Sequence, residues 1–256
     1  MKTKAKVGIF SFTSCAGCQF NILFLGGKLF ELLEHIDILH FPMAKENNKK
    51  GPFDIAFIEG CVTTEEEIKK LKEIRGKSKY LIALGTCATY GGIPSIKNFL
   101  DLEDVKEEVY DIPEFVKSLK AVGLDEYVKV DYFLRGCPLD RNEFVRVVQD
   151  FVVGKIPREV EQPVCIECRE KENKCLLQQG KSCIGPVTHG GCDAVCPSSS
   201  IACIGCRGPL PDSNVDKEVD LLKEHGLKEE DIVRAFRKFA GTSKIYSKYV
   251  GARCRR

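Results

Sequence analysis

Residues 80–92 read YLIALGTCATYGG, and this stretch decides the fold. Tyr80–Leu84 is an apolar run with the length of a buried β-strand, and a glycine-rich turn that contains Cys87 follows it. The same order of strand-like run and cysteine recurs in the first 140 residues. The other instances are Val7–Phe12 before Cys15 and Cys18, Phe53–Ile58 before Cys61, and Tyr127–Leu134 before Cys137.

Helical patterns lie between these runs, at Gln19–Glu34, Thr64–Arg75 and Leu139–Val152. A further strand-like run is Ile36–Phe41. Strands that alternate with helices predict an α/β fold with a parallel sheet covered on both faces. Because parallel strands end at the same edge, we expect all five cysteines at the edge where open α/β sheets bind their ligands.

The character of the chain changes near Lys155. From Pro163 to Pro211 the sequence is rich in Gly, Pro and Ser and has little periodicity. It contains eight cysteines: Cys165, Cys168, Cys175, Cys183, Cys192, Cys196, Cys203 and Cys206. Such a stretch buries little apolar surface, so bound metal groups would be needed to stabilise its fold. We therefore predict two domains, 1–155 and 156–256, and an amphipathic helix over 215–239 with Glu218 on its surface.

Composition restricts the class of protein. The chain has 256 residues, 43% of them hydrophobic, and a net charge of +2, which gives no electrostatic reason to expect nucleic acid as a partner. No apolar span of about 20 residues and no export signal stand out, so we expect no membrane insertion and a cytoplasmic location. Fourteen cysteines in a reducing compartment favour metal binding over disulfides.

The cysteine spacing in the second half fits two sites of four thiolates each. Four thiolates can hold a [4Fe–4S] cluster, but they can also hold zinc. In the first half, Cys15-x-x-Cys18 alone could be a redox dithiol. The Cys196-Pro197 pair and a third group of thiols in the same chain favour iron–sulfur clusters.

The order and spacing of these motifs resemble the small subunit of [NiFe]-hydrogenases over nearly the full chain. The absence of an export signal makes them similar to the cytosolic archaeal-type enzymes, such as sulfhydrogenase or viologen-reducing hydrogenase. The matching pieces are Thr13–Cys18, Glu59-Gly60, Gly85–Gly92, Gly136–Pro138, Cys183–Thr188 and Cys203–Cys206.

The resemblance implies a flavodoxin-like domain followed by a smaller, irregular iron–sulfur domain with C-terminal helices. It also implies three [4Fe–4S] clusters that relay electrons to or from a nickel–iron site in a separate large subunit. The proximal set of ligands would be Cys15, Cys18, Cys87 and Cys137. The distal set would be Cys165, Cys168, Cys175 and Cys183. The medial set would be Cys192, Cys196, Cys203 and Cys206.

The sequence departs from common patterns of that family in three respects. Cys165 stands where many members have a histidine, and Cys196 stands where a proline accompanies a three-iron cluster. Gly17 and Gly92 occupy the positions of two extra cysteines in oxygen-tolerant members. The resemblance then implies an ordinary four-iron proximal cluster. It implies no catalytic residue in this chain, and a further iron–sulfur or flavin subunit, or a ferredoxin, as second partner.

Four residues stay open at this point. Cys61 could be a fifth thiol near the proximal cluster, a substitute ligand or a packing residue. Glu59 could serve a proton path near the subunit interface, or be a carboxylate satisfied by the neighbouring turn. His189 could tune a cluster by hydrogen bonding or be an ordinary loop histidine. Cys254 is expected to be a free thiol.

Other functions remain possible on the residues alone. A subunit related to respiratory complex I usually has adjacent cysteines at the first motif and lacks the two-cluster domain, unlike Cys15-x-x-Cys18 and residues 165–206. A stand-alone ferredoxin-like carrier would not need the broad apolar surface of Gln19–Glu34. A zinc-stabilised structural protein would contain no sulfide.

Overall fold

A computed structural model describes residues 3–250, and they form two compact units. The first unit comprises the described residues up to Pro94 together with Glu114–Arg158. The second comprises Ser95–Pro113 and the described chain from Glu159 onward. The sequence pattern did not separate Ser95–Pro113 from the first domain, and the predicted boundary at residue 155 stays a prediction.

The first unit is built on a parallel sheet, as predicted. The strands described are β1 (Ala5–Ser11), β2 (Ile36–His40), β3 (Phe53–Glu59), β4 (Ser78–Leu84) and β5 (Tyr132–Leu134). Their order across the sheet is β2-β1-β3-β4-β5, and every neighbouring pair is parallel. The strand order changes direction between β1 and β3, because β2 lies on one side of β1 and β3 lies on the other. Open α/β sheets bind their ligands at this switch point.

Helices connect the strands and cover the sheet. Those of the first unit are α1 (Gly17–Leu23), α2 (Gly27–Leu33), α3 (Glu65–Gly76), α4 (Gly85–Tyr90) and α6 (Arg141–Val152). Side-chain caps fix where two of them begin. Thr64 Oγ1 accepts a 3.2 Å hydrogen bond from the Glu67 N–H at the start of α3, and Asp140 Oδ1 accepts a 2.8 Å bond from the Glu143 N–H at the start of α6.

The two faces of the sheet bury separate apolar cores. Alternate residues of β3 point to opposite faces, so Ile55 and Phe57 lie in one core while Ala56 and Ile58 lie in the other. The four side chains are at most 1% exposed, because the central strands are covered on both sides. This packing holds the strand ends, and the cysteines that follow them, on a rigid frame.

The second unit has little regular structure. Its helices are α5 (Leu102–Val109), α7 (Val164–Glu170), α8 (Val195–Ser198), α9 (Val215–Glu224) and α10 (Glu229–Ala240). Phe236 and Tyr246 pack edge to face with ring centroids 4.8 Å apart, and Tyr246 Oη donates a hydrogen bond to the Val187 carbonyl. Within residues 3–250, no helix has both the length and the apolar character that crossing a membrane requires.

Three predicted elements were wrong in their bounds. The helix predicted over Gln19–Glu34 is two helices, because Gly26 adopts φ = 59° between α1 and α2. The helix predicted over 215–239 likewise breaks at Gly226, with φ = 83°. The last strand covers Tyr132–Leu134 and not Tyr127–Leu134.

The placement of Glu218 on a helix surface was also wrong. Its side chain lies on α9 and is only 1% exposed. The helical pattern correctly placed Leu222 on the same buried face, four residues later, but a carboxylate there was not expected to be buried.

Candidate metal centres

The five cysteines of the first unit follow strands that end at one edge of the sheet. Glu59 at the end of β3 is paired with Leu84 at the end of β4, so Cys61 and Cys87 leave neighbouring strands at the same level. Thr13, shortly after β1, exchanges two backbone hydrogen bonds of 3.0 and 3.2 Å with Cys61. The structure therefore brings the loops after β1, β3 and β4 together.

Glu59 connects the end of β3 to the start of α1. Its Oε1 accepts a 2.9 Å hydrogen bond from the Cys18 N–H, and its Oε2 accepts a 2.6 Å bond from Gln19 Nε2. The side chain is only 2% exposed. Both oxygens thus accept hydrogen bonds from the first turn of α1, and a role of Glu59 in a proton path stays untested.

The thiols of the proximal set interact with each other. Burial raises the pKa of the Cys87 thiol to about 12. The neighbouring thiols that add to this shift are, in order of strength, Cys61, Cys137 and Cys15. Burial also raises the pKa of Cys18, with further contributions from Glu59, Cys137 and Cys87. Thiols in such surroundings become thiolates only when a strongly positive centre joins them.

Two glycines allow these sulfurs to lie close to the backbone. A Cβ at Gly85 would stand 2.4 Å from Cys18 Sγ, and a Cβ at Gly92 would stand 2.6 Å from Cys87 Sγ. Both residues have positive φ, +76° and +56°, which side chains rarely adopt. The soft donors, held close to backbone that only glycine allows, fit an inorganic group bound by thiolates.

Cys61 is the fifth thiol at this edge. Its side chain is fully buried, and its Sγ donates a 3.4 Å hydrogen bond to the Thr13 carbonyl. Among the neighbouring thiols, Cys61 raises the pKa of Cys87 most strongly. The structure therefore places Cys61 beside the proximal set, and whether it is a ligand stays untested.

In the second unit, the distal set surrounds the start of α7. Cys165 and Cys168 lie on α7, and burial raises the pKa of Cys165 to about 12. Further contributions come, in order, from Cys183, Cys168, Glu218 and Cys175. A Cβ at Gly185 would stand 3.3 Å from Cys165 Sγ and 3.6 Å from Cys183 Sγ, so both sulfurs adjoin the same glycine.

The medial set follows directly in sequence and in space. Cys196 lies on α8, and the Val195 N–H donates a 3.4 Å hydrogen bond to the Cys192 carbonyl in the turn before it. Burial raises the pKa of Cys203, whose neighbouring thiols are Cys183, Cys206 and Cys192. The Cys203 N–H donates a 3.4 Å hydrogen bond to Cys183 Sγ, which links the medial set to the distal set.

Across residues 3–250, no three His, Cys, Asp or Glu side chains converge as ligands of a single metal ion. A cluster of several irons is larger than one ion, and its ligands stand further apart. Two features make the three sets suitable for such a group. The donors are thiols, and Gly85 and Gly92 in the first unit and Gly185 in the second allow sulfurs to lie close to the backbone. Cys254 lies outside the described residues.

Three buried charged side chains near these cysteines were missed in the sequence. They are Glu167, Arg207 and Glu218, each at most 8% exposed. The position of Glu167 between Cys165 and Cys168 was the only available signal. His189, which was predicted as a possible tuning residue, is also buried, and its Nδ1 lies 3.0 Å from the Val160 carbonyl oxygen.

Fold and sites together define an α/β protein that gathers thiols at the carboxyl edge of a parallel sheet and in a cysteine-rich second unit. A family model described as NADH ubiquinone oxidoreductase, 20 Kd subunit, matches residues 15–151. Sulfhydrogenase 2 subunit delta of Pyrococcus furiosus is 42% identical over 92% of this chain and 99% of its own length. A subunit of the F420-non-reducing vhu hydrogenase of Methanocaldococcus jannaschii is 33% identical over 84% of each chain.

Solved structures agree with these relatives. A chain of an NAD+-reducing [NiFe]-hydrogenase in the H2-reduced state is 28% identical, with a TM-score of 0.56 over 61% of this chain and 95% of that one. A chain of the Ni-Fe-Se hydrogenase of Desulfomicrobium baculatum, 17% identical, shares the fold, with a TM-score of 0.55 over 82% of this chain and 97% of that one. The chain belongs to the family of [NiFe]-hydrogenase small subunits that includes sulfhydrogenase subunit delta and its counterpart in the F420-non-reducing hydrogenases.

Proposed function

We propose that this chain is the electron-relay subunit of a [NiFe]-hydrogenase and that twelve of its fourteen cysteines, in three sets of four, hold three [4Fe–4S] clusters. When bound, such clusters supply one-electron redox chemistry. Hydrogen chemistry takes place in the large subunit, as the family implies. The observation that supports the proposal is that thiols of the same set act on each other. Beyond the effect of burial, Cys137 and Cys15 raise the pKa of Cys87, Cys183, Cys168 and Cys175 raise that of Cys165, and Cys206 and Cys192 raise that of Cys203.

In the first unit, the chain's task is to fix the four proximal sulfurs. Cys18 is held by the Glu59 hydrogen bond to its backbone, and Cys87 lies in the first turn of α4, directly after a buried central strand. Cys15 is exposed, while Cys18 is buried. This difference supports an arrangement in which the proximal set lies just below the surface, facing a partner subunit.

In the second unit, polar hydrogen atoms point at sulfur. The Cys203 N–H donates to Cys183 Sγ at 3.4 Å, and Asn173 Nδ2 donates to Cys168 Sγ at 3.7 Å. Donors to thiolate sulfur stabilise the negative charge that an added electron brings, so they raise the reduction potential. Cys183 and Cys203 are buried and Cys175 is exposed, which supports exchange with an acceptor at the distal set.

The face that α1 presents to solvent suits a large subunit. Phe20 and Phe24 are 47% and 63% exposed, and their rings stack with centroids 6.1 Å apart. Aromatic side chains are enriched in the cores of protein interfaces. This pair lies close to Cys15 in the sequence, so an interface here would adjoin the proximal set. For the second partner we propose an iron–sulfur or flavin subunit, or a ferredoxin, because these exchange single electrons.

We also propose that the complex works in the cytoplasm. Fourteen cysteines, twelve of them proposed as cluster ligands, suit a reducing compartment, where thiols are not oxidised to disulfides. The division into a proximal-cluster domain over 1–155 and a two-cluster domain over 156–256 belongs to the same proposal.

The test uses the complex purified under anaerobic conditions together with whatever co-purifies. Exposure to H2 should produce the EPR signals of reduced iron–sulfur clusters within this chain, while argon should not. A chain that purifies with clusters but without a nickel-containing partner, and that H2 does not reduce, would identify a stand-alone carrier instead. Zinc in place of iron and sulfide would contradict electron transfer altogether.

A further inference from the structure

Glu167 lies in the distal set's helix but binds the loop of the medial set. It stands on α7 between Cys165 and Cys168 and is only 8% exposed. One carboxylate oxygen accepts a hydrogen bond from the Gly191 N–H, and the other accepts a 3.0 Å bond from the Ala194 N–H. A single side chain thus ties the loop on both sides of Cys192 to α7.

The carboxylate also reaches the thiol of that loop. Cys192 Sγ lies 3.9 Å from Oε2 of Glu167, within the range of a sulfur hydrogen bond. The fit is close, since a Cβ at Gly190 would stand 2.6 Å from Oε1 of Glu167. No larger residue fits at position 190 without moving the carboxylate.

Arg207 approaches the same loop with the opposite charge. It follows Cys206, is 3% exposed, and its guanidinium would stand 2.6 Å from a Cβ at Gly191. The pKa of Cys192 is raised to about 11, mainly by burial and next by the charge of Glu167, while the charge of Arg207 opposes the rise. Two buried charges of opposite sign therefore act on one sulfur of the medial set.

We propose that Glu167 is a positioning residue that holds the Cys192 loop against α7, and that its charge, opposed by Arg207, sets the reduction potential of the cluster in the medial set. The inference rests on the proposed function, because it requires that cluster. An added electron is disfavoured beside a buried carboxylate and favoured beside a buried guanidinium, since little solvent screens either charge. Glu167 then lowers the potential and Arg207 raises it.

The experiment is an EPR-monitored redox titration of the anaerobically purified complex, with variants of this chain. The medial signal is identified as the one altered in Cys196→Ser. In Glu167→Gln we expect the equilibrium constant for one-electron reduction of that cluster to rise at least tenfold, which is about +59 mV. In Arg207→Gln we expect a shift of the opposite sign. Glu167→Asp keeps the charge and should restore most of the wild-type potential.

Glu218→Gln is the matched control. Glu218 is another buried carboxylate of the second unit, but it acts on Cys165 and Cys183 of the distal set, so the medial potential should stay at its wild-type value. Shifts of the same sign in Glu167→Gln and Arg207→Gln, or unchanged potentials with full iron content, would overturn the inference alone. If Glu167→Gln does not retain iron, Arg207→Gln alone tests the inference. A lowered medial potential in Arg207→Gln supports it, and an unchanged or raised potential overturns it. A wild-type complex without the three clusters would overturn the proposed function as well.

Discussion

The backbone N–H of Cys18 donates a 2.9 Å hydrogen bond to Oε1 of Glu59, although 41 residues separate them in sequence. The bond joins the start of α1 to the end of β3 and is buried from solvent. It attaches one sulfur-bearing residue to the end of a central strand of the sheet. The position of the Cys18 backbone therefore depends on the carboxylate of Glu59.

Replacing Glu59 by Leu should destabilise the first unit. The change leaves the Cys18 N–H and Gln19 Nε2 buried without an acceptor, which costs about 2–4 kcal/mol in total. Glu59→Gln keeps the shape and one acceptor, so its loss should be smaller. The measurement is the unfolding free energy by denaturant titration, together with iron per chain. A Leu variant as stable as the wild type would contradict this role.

Cys87 and Cys61 should behave differently when their sulfur is removed. We expect Cys87→Ser to lose about four irons, because Cys87 is assigned to the four proximal ligands. Cys61→Ser should keep the full iron content, since Cys61 is treated as a fifth thiol beside the cluster. Iron and sulfide analysis of both variants checks this. Equal iron loss in both would instead make Cys61 a ligand.

Gly92 should not tolerate a side chain. In Gly92→Ala the new Cβ would stand 2.6 Å from Cys87 Sγ at a φ of +56°, so we expect loss of the proximal EPR signal. Gly27→Ala is the matched control, because a Cβ there meets no atom within 4 Å and Gly27 begins α2. That variant should retain every signal. An unchanged proximal signal in Gly92→Ala would show that the cluster does not require a glycine beside Cys87.

Glu218 should make stability depend on pH. Burial raises the pKa of this carboxyl from 4.5 to about 7. The contribution to stability is complete below about pH 4.5 and is lost as pH rises through about 7, up to about 3 kcal/mol. Glu218→Gln should therefore gain melting temperature over the wild type at pH 8, by roughly 5 °C or more, but much less at pH 5.

The control for this pH effect is Glu31→Gln on the exposed surface of α2, which should show the same difference from the wild type at both pH values. Scanning calorimetry under anaerobic conditions provides the melting temperatures. A difference between Glu218→Gln and wild type that does not change from pH 5 to pH 8 would exclude a buried, titrating carboxyl.

Phe24 should contribute to binding of the large subunit. Phe24→Asp puts a charge on the exposed aromatic pair of α1, and we expect at least a tenfold weaker association, because a buried charge without a partner is costly. Val153→Asp is the control, since Val153 is 75% exposed at the end of α6. Co-purification and size-exclusion chromatography measure the effect. Equal weakening by both variants would argue against an interface on α1.

The sequence predicted the sheet and the placement of the first five cysteines because these are local patterns. A run such as Tyr80–Leu84 identifies its own strand, and the cysteine follows within a few residues. The break at Gly26 was missed because the apolar pattern of Gln19–Glu34 continues across it, and a glycine inside a helical pattern does not by itself reveal a positive φ.

The buried charges could not be predicted in the same way. The hydrogen bonds of Glu167 reach residues 24 and 27 positions further along the chain. Glu218 shares the buried face of α9 with Val215 and Leu222, but its acidic side chain predicts exposure. Burial of a carboxylate depends on which loops pack against it. The local sequence around Glu218 carries no sign of that packing, and that around Glu167 carries only its position between two cysteines.

The most direct test of the three-cluster relay is a count of iron, acid-labile sulfide, zinc and nickel in the anaerobically purified complex. We predict about twelve irons and equal sulfide per copy of this chain, with nickel in a larger partner. Eight irons or fewer in intact protein, or zinc in place of iron and sulfide, would contradict the account.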